Sequence, residues 1–143
     1  MTSEYRVGSL RIVAASGWLD VTNDIDAENP PFTLAKSDGA GVIQFSTASH
    51  QSGKLPEIKL ENLKELLADF ALSRELGRGA DAECSKHPLL KCAQSYNNGS
   101  QFVRVWYCSN GRDVVLVTYA CERGVQQAEL PDCEKMIESL EFV

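Results

Sequence analysis

The sequence predicts an α+β fold built on an antiparallel sheet with helices packed on both of its faces, formed by one domain spanning residues 1–143. Three observations predict it. Residues 82–121 carry a period-2 apolar pattern broken at two Asn-Gly pairs, residues 60–76 carry a helical apolar stripe, and residues 131–140 carry a second, shorter one. A sheet that is apolar on both sides requires cover on both sides.

The elements follow in chain order. Residues 5–14 alternate loosely and place Leu10, Ile12 and Ala14 on one side of an extended segment, which predicts one strand. After Gly17-Trp18, the stretch Asp20 to Pro31 is rich in Asn, Asp and Pro, which remove donors and favour turns, so it predicts a loop. Residues 32–36 and 41–47 flank Ser37-Asp38-Gly39-Ala40. With Asp38-Gly39 as a two-residue type I′ turn, Phe32 opposes Phe45 and Leu34 opposes Ile43. Residues 48–58 are polar. Leu60, Leu63, Leu67 and Phe70 then recur at helical spacing, and Gly77 is suited to the left-handed position after a helix end.

Taking Asn98-Gly99 and Asn110-Gly111 as turn centres divides the meander into two faces. Leu90, Cys92, Val103, Val105, Tyr107, Val114, Leu116 and Thr118 share one; Phe102, Arg104, Trp106, Val115, Val117, Tyr119 and Cys121 share the other. The chain closes with Cys133, Met136, Ile137 and Leu140 at helical spacing behind Pro131, a residue suited to a first helical turn.

Composition narrows function by exclusion. Apolar residues make up 43% and charged residues 24% of 143, which suits an ordinary globular core rather than a disordered tail. Fourteen Lys and Arg stand against 20 Asp and Glu, a net charge of −6, and no basic stripe interrupts the acid, so nucleic-acid binding is disfavoured. No apolar run approaches the roughly 18 residues that span a bilayer. Charges at Glu4, Arg6 and Arg11 leave no room for a signal-peptide core in the first residues, so a cytoplasmic location is expected. Five cysteines, an odd number at low density, are expected to be reduced and mostly buried.

The candidate chemistry is sparse, and neither a catalytic residue nor a cofactor is expected. Cys84-x2-His87-x4-Cys92 offers three zinc-type ligands but no local fourth, and strand geometry sends Cys92 toward Val105 and Leu116, where a thiol packs as a small apolar group. A Cys84–Cys92 disulfide is the alternative in an oxidising compartment. Asp24-x-Asp26-x-Glu28 opens like a calcium loop, but its sixth position is Asn29 and its twelfth is Ala35, so no metal is expected there. The segment from Asp20 through Asp24 and Asp26 to Glu28 has no compensating base and suits a cationic partner. His50 and His87 stand outside any nucleophile or acid–base motif. Arg104 lies within Phe102-Val-Arg-Val-Trp106-Tyr107; with Trp106 and Tyr119 on its face it would line a ligand groove, or else cover aromatic surface and reach a carboxylate.

Gly17-Trp18, Gly41-Val-Ile-Gln44-Phe-Ser46, Val105-Trp106-Tyr107, Val117-Thr118-Tyr119 and Ile137-Glu-Ser-Leu140, taken in this order, resemble the PsbP-like fold. That fold is shared by Ran-binding Mog-type proteins, DcrB-type bacterial proteins and the Eag chaperones of type VI secretion. The resemblance spans nearly the whole chain and implies an α/β/α sandwich that binds other proteins rather than turning over substrates. It transfers no functional residue. The expectation is a non-enzymatic, cytosolic protein-binding module, an immunity or adaptor protein of a bacterial toxin or secretion system, whose partner is a basic toxin or secreted effector. The alternatives are a secretion chaperone for apolar effector segments, which requires a large exposed apolar patch, and a small-molecule or lipid-binding domain at Arg104, Trp106 and Tyr119.

Overall fold

The computed structural model of the chain describes residues 3–49 and 57–143; His50 and most of the polar 48–58 stretch lie outside them. The expected single strand over 5–14 is two strands, β1 (Ser3–Val7) and β2 (Leu10–Ala14), paired antiparallel with Val7 opposite Leu10. Gly8 explains the difference, because its φ of 59° is open to glycine and turns the chain back on itself. Leu10, Ile12 and Ala14 do share one face, and all three are fully buried.

Beyond β3 (Trp18–Asp20), the acidic stretch holds one short 3₁₀ turn, Thr22–Asp24, and is otherwise irregular up to β4 (Phe32–Lys36). β4 pairs with β5 (Gly41–Ser49) in the expected register, Phe32 against Phe45 and Leu34 against Ile43. The connecting turn is not type I′. Gly39 does not have a positive φ, and its amide closes a turn onto the Lys36 carbonyl at 3.1 Å.

Helix α1 (Leu60–Ser73) stops before the expected end. The Leu76 amide reaches the Ala71 carbonyl and the Glu75 amide reaches that of Leu72, so Glu75, with φ of 53°, takes the left-handed position that closes the helix, and Gly77, with φ of 75°, is left-handed two residues further on. A residue with a Cβ is strained there by roughly 1–2 kcal/mol. Glu75→Gly is therefore expected to stabilise the fold by about 0.5–1 kcal/mol, read as a rise in the urea midpoint.

The meander comprises β6 (Ala80–Ser85), β7 (Leu90–Asn98), β8 (Gln101–Ser109) and β9 (Asp113–Glu122). Its turns centre later than expected: Asn98 opposes Gln101, and Ser109 opposes Val114. Each register therefore moves by two residues, which changes every partner but leaves every side chain on its predicted face. After α2 (Leu130–Glu138), β10 (Glu141–Phe142) returns to pair with β2.

The strands form two sheets, ordered β1-β2-β10 and β3-β4-β5-β9-β8-β7-β6, with every pairing antiparallel. Two apolar clusters follow the alternation of the meander. One joins Leu63, Leu67 and Phe70 of α1 to Cys92, Tyr96, Val105 and Tyr107. The other joins Trp106, Val115, Val117 and Tyr119 to Leu10, Ile12 and Trp18, and to Cys133, Met136 and Ile137 of α2.

Candidate functional site

The acidic segment begins on β3, an edge strand of the large sheet, and continues over the following loop. Asp20 is spent locally: its Oδ1 accepts from the Thr22 amide at 3.0 Å and the Thr22 hydroxyl at 2.6 Å, forming the turn that opens the loop. The Thr22 hydroxyl in turn accepts from the Thr33 amide at 2.9 Å, anchoring the loop to β4. Asp24, Asp26 and Glu28 are exposed, and among the described residues no salt bridge includes them. On β3 itself, Leu19 is 54% exposed. The four acidic positions singled out in the sequence thus divide into one that shapes the loop and three that are exposed.

The Arg104, Trp106 and Tyr119 groove is not formed. Trp106 and Tyr119 are fully buried and Arg104 is 6% exposed, because the small sheet and α2 supply side chains that pack against this face. Arg104 instead reaches the carboxylate of Glu134 on α2 at 3.1 Å, while its Nη1 donates to the Ser95 hydroxyl at 2.8 Å and the Asp81 carbonyl at 3.0 Å. The guanidinium also lies over the Trp106 ring, 5.5 Å from its centroid. A bulge between Ala80 and Glu83, with Asp81 at φ of 53°, accompanies that carbonyl contact. Arg104 thus fastens β6, β7 and α2 to β8.

The zinc-type spacing does not close on a metal. Among the described residues no three His, Cys, Asp or Glu side chains are grouped to hold an ion. Cys84 and Cys92 are direct cross-strand partners with their sulfurs 2.7 Å apart. His87 lines a separate cavity of about 340 Å³ with Ser85, Leu89, Lys91 and Cys108. Burial pushes the Cys92 and Cys108 thiols up to about 12 and raises those of Cys121 and Cys133, so these four are protonated at neutral pH. Lys91 at the cavity edge is held by Glu83 at 2.8 Å.

Two carboxylate arrangements, one buried and one half-buried, went unnoticed in the sequence. Glu129, 3% exposed, accepts from the amides of Ala40 at 3.0 Å and Gly41 at 2.9 Å and from the Tyr119 hydroxyl at 2.7 Å. A Cβ at position 39 would collide with this carboxylate, which accounts for Gly39 better than turn geometry does. The only signal was an acidic residue next to Leu130-Pro131 at a helix start.

Asp132 accepts from the Trp18 indole N–H at 3.0 Å and from Lys36 at 3.2 Å, tying α2 to β3 and β4. The Trp18 hydrogen bond, with Lys36, holds its carboxyl below the usual range. With the folded pKa depressed, the stabilisation is complete above the ordinary Asp pKa near 4 and is lost as pH falls through the folded value. Asp132→Asn should therefore flatten the stability–pH curve below about pH 4, as followed by chemical denaturation.

Among the described residues no helix is long and apolar enough to cross a membrane. No protein-family model matches the chain, and no curated protein matches it in sequence. Solved structures do. PsbP from the cyanobacterium Synechocystis superposes with a TM-score of 0.69 at 10% identity, over 99% of this chain and 92% of its own. A point mutant of Mog1 gives 0.65 at 9% identity over 100% and 96%. A Bacteroides thetaiotaomicron protein gives 0.62 at 11% identity over 94% of this chain, which spans only 45% of that protein. The chain therefore has the PsbP/Mog-like α+β fold, a seven-stranded antiparallel sheet joined by a three-stranded one and two helices.

Proposed function

We propose that the protein is a non-enzymatic, cytosolic protein-binding module that docks a basic partner through β3 and the acidic loop, acting as an immunity or adaptor protein of a bacterial toxin or secretion system. The observation that carries this reading is that Asp24, Asp26 and Glu28 are exposed and without a salt bridge among the described residues, in a loop that follows an edge strand carrying the exposed Leu19. A run of one sign of charge suits recognition of a cationic surface by accelerating encounter. On this reading the sheet is covered by α1 on one face and by α2 with the small sheet on the other, an arrangement supported by the two apolar clusters, and edges and loops are the surfaces open to a partner. A secretion chaperone instead needs one contiguous apolar patch. Of the large exposed apolar residues, Leu66 and Leu72 share α1 six positions apart, while Leu19 lies on β3, Val125 follows β9 and Val143 is the last residue; no contiguous run of them forms along the chain.

Affinity capture from the native host at low salt, wild type beside the D24N/D26N/E28Q variant, tests it. The expected result is a stoichiometric basic protein retained by the wild type and lost with the variant. Equal retention by both would overturn the proposal.

A further inference from the structure

We propose that Cys84 and Cys92 form a reversible oxidation site, in which hydrogen peroxide converts the thiol pair to a cross-strand disulfide. The two residues are direct partners in the β6–β7 register, and their sulfurs lie 2.7 Å apart. The bulge between Ala80 and Glu83 sets that register: Ala80 opposes Ser95 before it, whereas Glu83 opposes Ala93 after it. β6 is the outermost strand of the large sheet. Access is asymmetric, with Cys84 exposed and Cys92 buried under α1, close to the Leu60 carbonyl. The remaining three cysteines are buried, and no sulfur contact among them accompanies this one.

The asymmetry orders the chemistry. The Cys84 thiolate attacks the peroxide, breaking the O–O bond to give Cys84 sulfenic acid and water. The Cys92 sulfur, losing its proton, then displaces hydroxide from the sulfenic sulfur to form the S–S bond, and proton and hydroxide leave as a second water. The two thiols lose two electrons and two protons in total, and the peroxide is reduced to two waters. An added dithiol reverses the reaction by exchange. The consequence is covalent attachment of the free sheet edge to β7, at a position that depends neither on the acidic loop nor on its partner.

The test is peroxide treatment of the folded wild-type protein, alkylation under denaturing conditions, and mass spectrometry. The expected product is lighter by about 2 Da, with two of the five thiols refractory to alkylation and both recovered after dithiothreitol. Trypsin should release residues 79–86 joined to residues 92–104. In a Cys92→Ser variant the same treatment should leave Cys84 as a sulfenic acid trapped by dimedone, and in Cys84→Ser the dimedone adduct should be absent. The proposal is overturned if the linked peptide does not appear, if Cys84 proceeds to sulfinic acid while Cys92 stays alkylatable, or if dimedone labels Cys84→Ser as it labels Cys92→Ser.

Discussion

Glu129→Ala is expected to destabilise the protein by about 3 kcal/mol, since truncation strands several buried donors at once. The Glu129 carboxylate is met by the amides of Ala40 and Gly41 and by the hydroxyl of Tyr119, and it stands at the start of α2, where amide dipoles favour negative charge. Removing it leaves those groups facing a small void where the carboxylate stood. Glu129→Gln keeps the shape but presents an amide to donors on one side, so about half the loss is expected. Urea denaturation of the three proteins checks this. A loss below about 1 kcal/mol for the alanine variant would mean that the carboxylate is not the fastener between the turn and α2.

Trp106→Ala is the second large effect, with an expected loss of about 3–5 kcal/mol from a cavity at the centre of the large sheet. The indole is fully buried between β7 and β9 neighbours, and its ring also carries the Arg104 guanidinium. Trp106→Phe separates packing from polarity. Among the described residues the indole N–H is buried without a hydrogen-bond partner, so phenylalanine forfeits volume but no hydrogen bond, and a loss of only about 1–1.5 kcal/mol is expected. Equal losses for the two variants in thermal unfolding would contradict a packing role and indicate a polar one.

The same residue shows what the amino-acid sequence could reveal. Alternation placed Arg104, Trp106 and Tyr119 on one face, and they are there. Period-2 reasoning does not say what lies above a face, and the hairpin of β1 and β2 was hidden because Gly8 reads as a pause within a strand rather than as its reversal. The meander illustrates the opposite case: both turns shifted, but a two-residue shift preserves facing, so the division into two apolar sides survived a wrong register. Glu75 at the end of α1 was missed because Gly77 is the more obvious left-handed residue; both have a positive φ, but Glu75 closes the helix, which stops at Ser73 before the apolar stripe does. Glu129 and Asp132 were missed for a different reason. Their partners are 88 or more residues away in sequence, except for Tyr119, and nothing local marks a carboxylate that will bridge distant elements. The acidic loop was legible because a run of uncompensated charge needs no tertiary knowledge to be recognised.

On the proposed reading, recognition falls to the loop after β3, whose exposed acidic residues are distinct from the polar groups that hold the fold together. Arg104, Glu129 and Asp132 are each occupied by partners that hold elements together. Asp24, Asp26 and Glu28 have no such duty in the fold, so replacing them with neutral isosteres should leave stability within about 0.5 kcal/mol of the wild type. That makes them suitable for a binding experiment that folding defects cannot confound. The most direct measurement is the association rate of the purified protein with its captured partner across a salt series, for the wild type and D24N/D26N/E28Q. The account predicts a rate that falls steeply with ionic strength for the wild type and a shallower dependence for the variant; a rate that is insensitive to salt, or identical in the two proteins at every salt concentration, would contradict it.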